Sequence, residues 1–179
     1  MTFESTEIDG VWVVGLEPIA DERGFFARTW CAREFAEHGI ASTFVQENVG
    51  YSTHAGTLRG LHYQREPHAE VKLVRCTAGA VWDVAVDLRE ASPTRFRWCG
   101  IELTAEARNM LYVPEGCAHG YLTLTDGAEV RYLTSAYYEP AFASGARYDD
   151  PRFGIRWPEP VTVLSDQDRG WPLIADGAP

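Results

Sequence analysis

The chain lacks the features that would place it in a membrane or outside the cell. No apolar run in its 179 residues is long enough to cross a bilayer. Met1-Thr-Phe-Glu-Ser5 has no basic stretch leading into an apolar one, so no signal peptide is expected there. Four cysteines, Cys31, Cys76, Cys99 and Cys117, are scattered without a C-x-x-C pair. Free thiols in a cytoplasmic protein are therefore expected, and a zinc site is not. Positive charge is also scarce: 16 Lys and Arg stand against 26 Asp and Glu, for a net charge of −10. That argues against a nucleic-acid backbone or an anionic membrane as the main partner. A small anionic ligand stays open, because a few local cations can reverse the field inside one pocket.

Repeats, low-complexity tracts and charged linkers are absent as well. With 45% apolar and 23% charged residues, the composition is that of one globular domain over residues 1–179. One helix is expected, at about Ala32 to His38 with Gly39 as its stop. Short strands are expected at Val11–Leu16, Thr43–Gln46, Val71–Cys76, Ala80–Leu88, Trp98–Leu103, Met110–Val113, Tyr121–Leu124 and Glu129–Thr134. Turn residues such as Ala78-Gly79, Ser92-Pro93 and Asp126-Gly127 separate them. Many strands and few helices predict an all-β fold, a double-sheet jelly roll with a few short peripheral helices.

Within this pattern Thr57-Leu-Arg59-Gly-Leu-His62-Tyr-Gln64, followed by Lys72-Leu-Val-Arg75, is unusual. It puts a histidine and cations into what otherwise reads as buried strand, where charge needs a partner or a task. Arg59 and His62 have opposite parity, so a regular strand sends them to opposite faces. A bulge at Gly60 would turn both into one cavity. With a reference pKa of about 6.5 a histidine can act as a base. His62 would then need a carboxylate behind it, and Asp168 and Asp83 are the candidates. Asp168 also reads as a surface turn residue, and Tyr132, on an inward face with Val130 and Thr134, also reads as core packing. Along Val81–Leu88, Trp82, Val84, Val86 and Leu88 share one face and Asp83, Ala85 and Asp87 the other.

Pro114-Glu-Gly116-Cys-Ala-His119-Gly matches P-x-G-x-x-H, the second signature of cupin jelly rolls. The first signature of metal-binding cupins supplies an H-x-H pair and a glutamate. The corresponding region here reads Arg59-Gly-Leu-His62, with Lys72 downstream, and cations oppose a metal. A metal-free site is therefore expected. His119 is either part of that site or a hydrogen-bonded structural histidine. Arg23, in Asp21-Glu-Arg-Gly-Phe-Phe26, either binds phosphate or is solvated on an edge hairpin. Tyr137-Tyr138 either stacks on a nucleobase or covers the barrel rim.

Taken together these blocks resemble the dTDP-4-dehydrorhamnose 3,5-epimerase family of sugar-nucleotide cupins. The resemblance runs from Asp21-Glu-Arg-Gly-Phe-Phe26 through Phe44-Val-Gln46-Glu-Asn48, the His62 and Lys72 segments, Asp83–Arg89 with Ser92-Pro-Thr94, and Pro114–Gly120. It ends with Tyr132, Tyr138, Asp149-Asp-Pro151 and Leu164-Ser-Asp-Gln-Asp168. It implies a metal- and cofactor-free homodimer that inverts carbon 3 and/or carbon 5 of a nucleotide-linked 4-keto-6-deoxyhexose. In that scheme His62 is the base, Asp168 orients it, Tyr132 is the acid on the far side of the ring, and Lys72, helped by His119, stabilises the enolate. Arg59 and Arg23 would bind the diphosphate, with Arg23 and Phe26 contributed by the neighbouring subunit. Gln46 and Asn48 would line the site and Tyr138 would stack on the base.

The chain departs from the family at three positions. Arg28 and Ala143 stand where glutamates are usual, and Leu133 where a lysine is usual. These changes bear on the nucleotide and the sugar rather than on the acid and base. Three alternatives accompany the main expectation. They are a single-carbon epimerase acting on a modified deoxysugar nucleotide, a non-catalytic sugar-nucleotide-binding cupin, and a metal-dependent cupin, which lacks its ligands.

Overall fold

The computed structural model describes residues 1–40 and 43–174. In chain order its elements are β1 (Thr2–Ser5), β2 (Trp12–Gly15), β3 (Ile19–Asp21), β4 (Gly24–Phe26), α1 (Ala32–Glu37), β5 (Gln46–Ser52), β6 (Thr57–Gln64), β7 (Lys72–Ala78) and β8 (Ala80–Asp87). They continue with β9 (Trp98–Thr104), β10 (Met110–Val113), β11 (Cys117–Thr123), β12 (Ala128–Thr134), β13 (Ala143–Gly145), β14 (Val163–Leu164) and α2 (Asp166–Gly170). The first sheet runs β1-β2-β10-β7-β12-β5, and the second runs β13-β6-β11-β8-β9 with β14 paired to β6. β3 and β4 form a separate hairpin. The expected all-β jelly roll with short peripheral helices is the architecture observed.

Period-two alternation sorts side chains into three layers. On β7 and β10, Val74, Cys76, Leu111 and Val113 enter the core between the sheets, while Leu73, Met110 and Tyr112 pack outside. Phe35 of α1 covers that outer face. Gly39, at φ +75°, ends the α1 region in the left-handed conformation that glycine accepts at little cost. On β8, Val81 and Ala85 point between the sheets, while Trp82, Val84 and Val86 pack outside with Phe153, Ile155 and Trp157 of the C-terminal segment.

The expected strand at Thr43–Gln46 is displaced: the strand begins at Gln46 and continues to Ser52. Its polarity is inverted relative to an ordinary half-buried strand. Gln46 and Asn48 face a cavity, while Val49 and Tyr51 are 58% and 59% exposed. Apolar residues outside and polar ones inside conceal the usual signal. Similarly, β11 begins at Cys117, four residues before the expected Tyr121. None of the helices among the described residues is long and apolar enough to cross a membrane.

Candidate active site

The two sheets diverge around a cleft with two adjoining chambers, of about 200 and about 560 Å³. His62, Lys72 and Tyr132 border both chambers. His62 comes from β6 of the second sheet, whereas Lys72 (β7) and Tyr132 (β12) come from the first. The site is therefore assembled by facing sheets. A larger cleft of about 900 Å³, between residues 4–7 and Trp98–Ile101, contains none of these residues. Size alone does not locate the chemistry here.

The expected distortion at Gly60 is present. His62 pairs with His119 and Arg59 with Tyr121, so three steps along β6 match two along β11. One extra residue in β6 reverses the parity, and Arg59 and His62 line the same chamber. Gly60 has φ +133°, and a Cβ there would lie 2.5 Å from the Gly120 Cα. Glycine is thus required both by conformation and by the close approach of the two strands.

Asp168 lies behind His62, with Oδ1 at 2.5 Å from Nε2. Its other oxygen accepts the Gly60 N–H at 3.3 Å, and Trp171 Nε1 donates to Oδ1 at 3.3 Å. α2 carries this carboxylate inward: Ser165 caps the helix by accepting the Asp168 N–H, and Asp168 is 4% exposed. Burial opposes ionisation, but the His62 hydrogen bond and charge, with the Gly60 N–H, outweigh it and hold the carboxyl below its ordinary value. An ionised Asp168 can only accept, so it holds a hydrogen on His62 Nε2, and in the neutral imidazole Nδ1 then keeps the free lone pair. That is the tautomer a base needs.

Asp83, the other candidate partner, belongs to His119. Both of its oxygens lie 3.0 Å from His119 Nε2, and the two residues are 0% and 6% exposed. His119 is thus a hydrogen-bonded buried histidine that also lines the chamber with Arg59 and His62. The inward parity of Asp83 was the signal for this pairing.

Across the cleft, burial first and the charge of Glu70 second push the Tyr132 phenol above its ordinary value, against the pull of Arg59. Lys72 is 7% exposed, and its Nζ donates to the His62 carbonyl oxygen at 3.2 Å. Gln46, Asn48 and Tyr138 line the smaller chamber. Gln46 is fixed there, donating to Asn48 Oδ1 at 3.0 Å and accepting the Tyr138 N–H at 3.4 Å. Arg59 is held at the mouth by Ser52 Oγ and the Tyr51 carbonyl, at 3.1 and 2.9 Å. Glu70, Gln64 and Trp171, which the sequence reading did not single out, line the smaller chamber too.

Arg23 and Phe26 are not brought into the cleft of their own chain. They sit on the exposed β3–β4 hairpin, where Arg23 is paired with Asp21 and Phe26 is 71% exposed. Arg28 is bound to Glu34 at 2.6 Å rather than turned toward the cleft. Ala143 lines the smaller chamber, while Leu133 packs on the outer face of the first sheet. Among the described residues no three His, Cys, Asp or Glu side chains converge as metal ligands, and each site histidine is engaged by a carboxylate.

Residues 5–176 match the model of the family described as dTDP-4-dehydrorhamnose 3,5-epimerase. The chain is 44% identical to the dTDP-4-dehydrorhamnose 3,5-epimerase of Shigella flexneri, over 94% of this chain and 93% of that protein. It is 38% identical to the dTDP-4-dehydrorhamnose 3-epimerase of Streptomyces niveus, over 94% and 82%. The crystal structure of dTDP-4-dehydrorhamnose 3,5-epimerase from Bacillus anthracis str. Ames, with TDP and PPi bound, superposes with a TM-score of 0.93 at 39% identity. That superposition covers 97% of this chain and 99% of that one. By fold and by near-full-length similarity, the chain belongs to the dTDP-4-dehydrorhamnose 3,5-epimerase family.

Proposed function

We propose that this protein is an isomerase that inverts carbons 3 and 5 of a dTDP-linked 4-keto-6-deoxyhexose. The observation that carries the reading is the His62–Asp168 pair, from β6 and α2, facing Tyr132 and Lys72 of the other sheet. Protons beside the 4-ketone are acidic because the charge left behind moves onto oxygen. His62 Nδ1 takes the proton, and Asp168 stabilises the imidazolium that results. Lys72, with His119 nearby, meets the enolate oxygen, since a neutral imidazole is too weak a base unless that charge is stabilised as it forms. Tyr132 then delivers its O–H proton to the opposite face of the same carbon. The imidazolium and the phenolate return to their starting states by exchange with solvent. The ketone is already present in the substrate, so the chemistry calls on no redox cofactor, and the donor set favours acid–base work over a metal.

The nucleotide end of the reading rests on Arg59, which lines the larger chamber, and Tyr138, which lines the smaller one. Arg59 binds the diphosphate and Tyr138 stacks on the base. Arg23 and Phe26 complete this end from a second copy of the chain in a homodimer. The exposed hairpin with Ile19, Phe25 and Phe26 at its surface is what supports that exchange. Four free cysteines fit a cytoplasmic setting.

The test is incubation with dTDP-4-keto-6-deoxyglucose in heavy water, following deuterium at carbons 3 and 5 by NMR. Exchange and inversion at both carbons are expected. Exchange at carbon 3 alone would assign the single-carbon activity for which the Streptomyces niveus relative is named. No exchange, with dTDP still bound, would point to another substrate or to a binding role. Sedimentation of a monomer at micromolar concentration would overturn the shared-site arrangement.

A further inference from the structure

Lys72 is the only lysine in the sequence, and its ammonium group is held from two sides. Nζ donates to the His62 carbonyl oxygen at 3.2 Å and lies 3.1 Å from Glu70 Oε1. Of its three hydrogens one is donated to the His62 carbonyl, while Glu70 is an ion-pair contact beside Nζ. Lys72 lines both chambers where they meet, which gives a free N–H a place to point. A lysine on its own flexible stem would not keep such an aim. The Lys72 and Glu70 side chains are only 8% and 10% exposed, so the pair is largely withdrawn from water.

Glu70 is itself fixed. Its second oxygen lies 3.3 Å from Gln64 Nε2. Gln64 is 4% exposed, accepts the Glu139 N–H at 2.7 Å, and its two Nε2 hydrogens are shared among Glu70 and the His68 and Tyr137 carbonyls at 3.0 and 3.1 Å. The carboxylate therefore sits against an amide that is tied to two stretches of chain. Burying a carboxylate and an ammonium costs solvation that a well-packed apolar pair would not. The pair also lies beside the groups assigned to the chemistry, so structural bracing is a poor account of it.

We propose that Glu70 is a positioning residue that holds Lys72 so that a free N–H meets the ketone oxygen where enolate charge develops. This rests on the site reading above. Glu70 touches no reacting atom and acts through Lys72. A misplacement of about 1 Å at a reacting centre costs on the order of a hundredfold in rate, which sets the size of the effect.

The sole lysine makes the geometry directly observable. Protein labelled with 15N at lysine Nζ gives one side-chain ammonium resonance, and Glu70→Gln should shift it and speed its hydrogen exchange with water. Deuterium exchange at carbons 3 and 5 of dTDP-4-keto-6-deoxyglucose should slow roughly tenfold in Glu70→Gln and roughly a hundredfold in Glu70→Ala, with dTDP affinity changed less than about twofold. Because Glu70 acts through Lys72, adding Glu70→Ala to Lys72→Ala should cost less than about twofold more. Glu70→Gln is nearly isosteric and carries the test if Glu70→Ala does not fold. Three results would each overturn the proposal: an unmoved Lys72 resonance in Glu70→Gln, exchange in Glu70→Gln at the wild-type rate, or a full further loss in the Lys72→Ala background. If wild type exchanges neither carbon, the substrate reading fails instead, and the Lys72 resonance still decides whether Glu70 positions it.

Discussion

His62 and His119 stand opposite one another in the β6–β11 pair, and each is held by its own carboxylate, Asp168 and Asp83. The two pairs are differently exposed. The His62 side chain is 43% exposed and His119 7%. The accessible pair is the one placed to exchange a proton with a ligand, while the buried one stiffens the wall beside it.

Replacing His62 by Ala removes the proposed base and should abolish deuterium exchange at both carbons. Asp168→Asn keeps the shape but exchanges an acceptor-only group for one that also donates, which disturbs the His62 tautomer. It should lower exchange by roughly 10²–10⁴, the range for a positioned acid–base group. NMR exchange rates check both, with circular dichroism to verify the fold. Persistent exchange in the His62 variant would mean that another group is the base.

Tyr132→Phe should separate the two half-reactions. Proton removal by His62 continues, so exchange survives better than inversion. The ratio of deuterium incorporation to product formation reads this directly. Equal loss of both would show that Tyr132 does more than return the proton.

Asp168 contributes a pH-dependent part of stability with a definite sign. Its folded carboxyl lies below the ordinary value of 3.8, so the folded state binds its proton less readily than the unfolded chain does. The stabilisation is complete above the ordinary value and is lost as pH falls through the folded one. Thermal denaturation should therefore show wild type ahead of Asp168→Asn at pH 6, with the gap narrowing below pH 4. A gap that widens on acidification would contradict the assignment.

Gly60→Ala should damage both the fold and the site. The new Cβ meets the Gly120 Cα at 2.5 Å and the His119 carbonyl oxygen at 3.0 Å, at a φ that side chains rarely adopt. A cost of about 1–3 kcal/mol is expected for the conformation alone. Relief by straightening β6 would turn Arg59 away from His62. Denaturant unfolding and exchange rates should fall together; wild-type behaviour in both would remove the bulge from the account.

Much of this was legible along the chain. The periods of β7, β8 and β10 separate core from outer face without any tertiary knowledge, because each strand meets ordinary apolar layers. The parity conflict between Arg59 and His62 identified a distortion and its glycine. β5 was misplaced because its inner face lines a cavity, so its polar and apolar residues exchange roles. Glu70 went unremarked because a glutamate two residues before a lysine is usually a solvated pair, and burial alone distinguishes the two.

The groups of the proposed chemistry were determined by the sequence: an imidazole, a phenol and one lysine set into strands, with a glycine to redirect the first. Only the tertiary structure decided which carboxylate serves which histidine. Asp83 and Asp168 are equivalent as residues, but β8 carries one to His119, while α2 returns across 106 residues to bring the other to His62. Local periodicity orients a side chain relative to its own strand. Which partner it meets depends on how distant strands and helices pack, and that is not encoded in any local pattern.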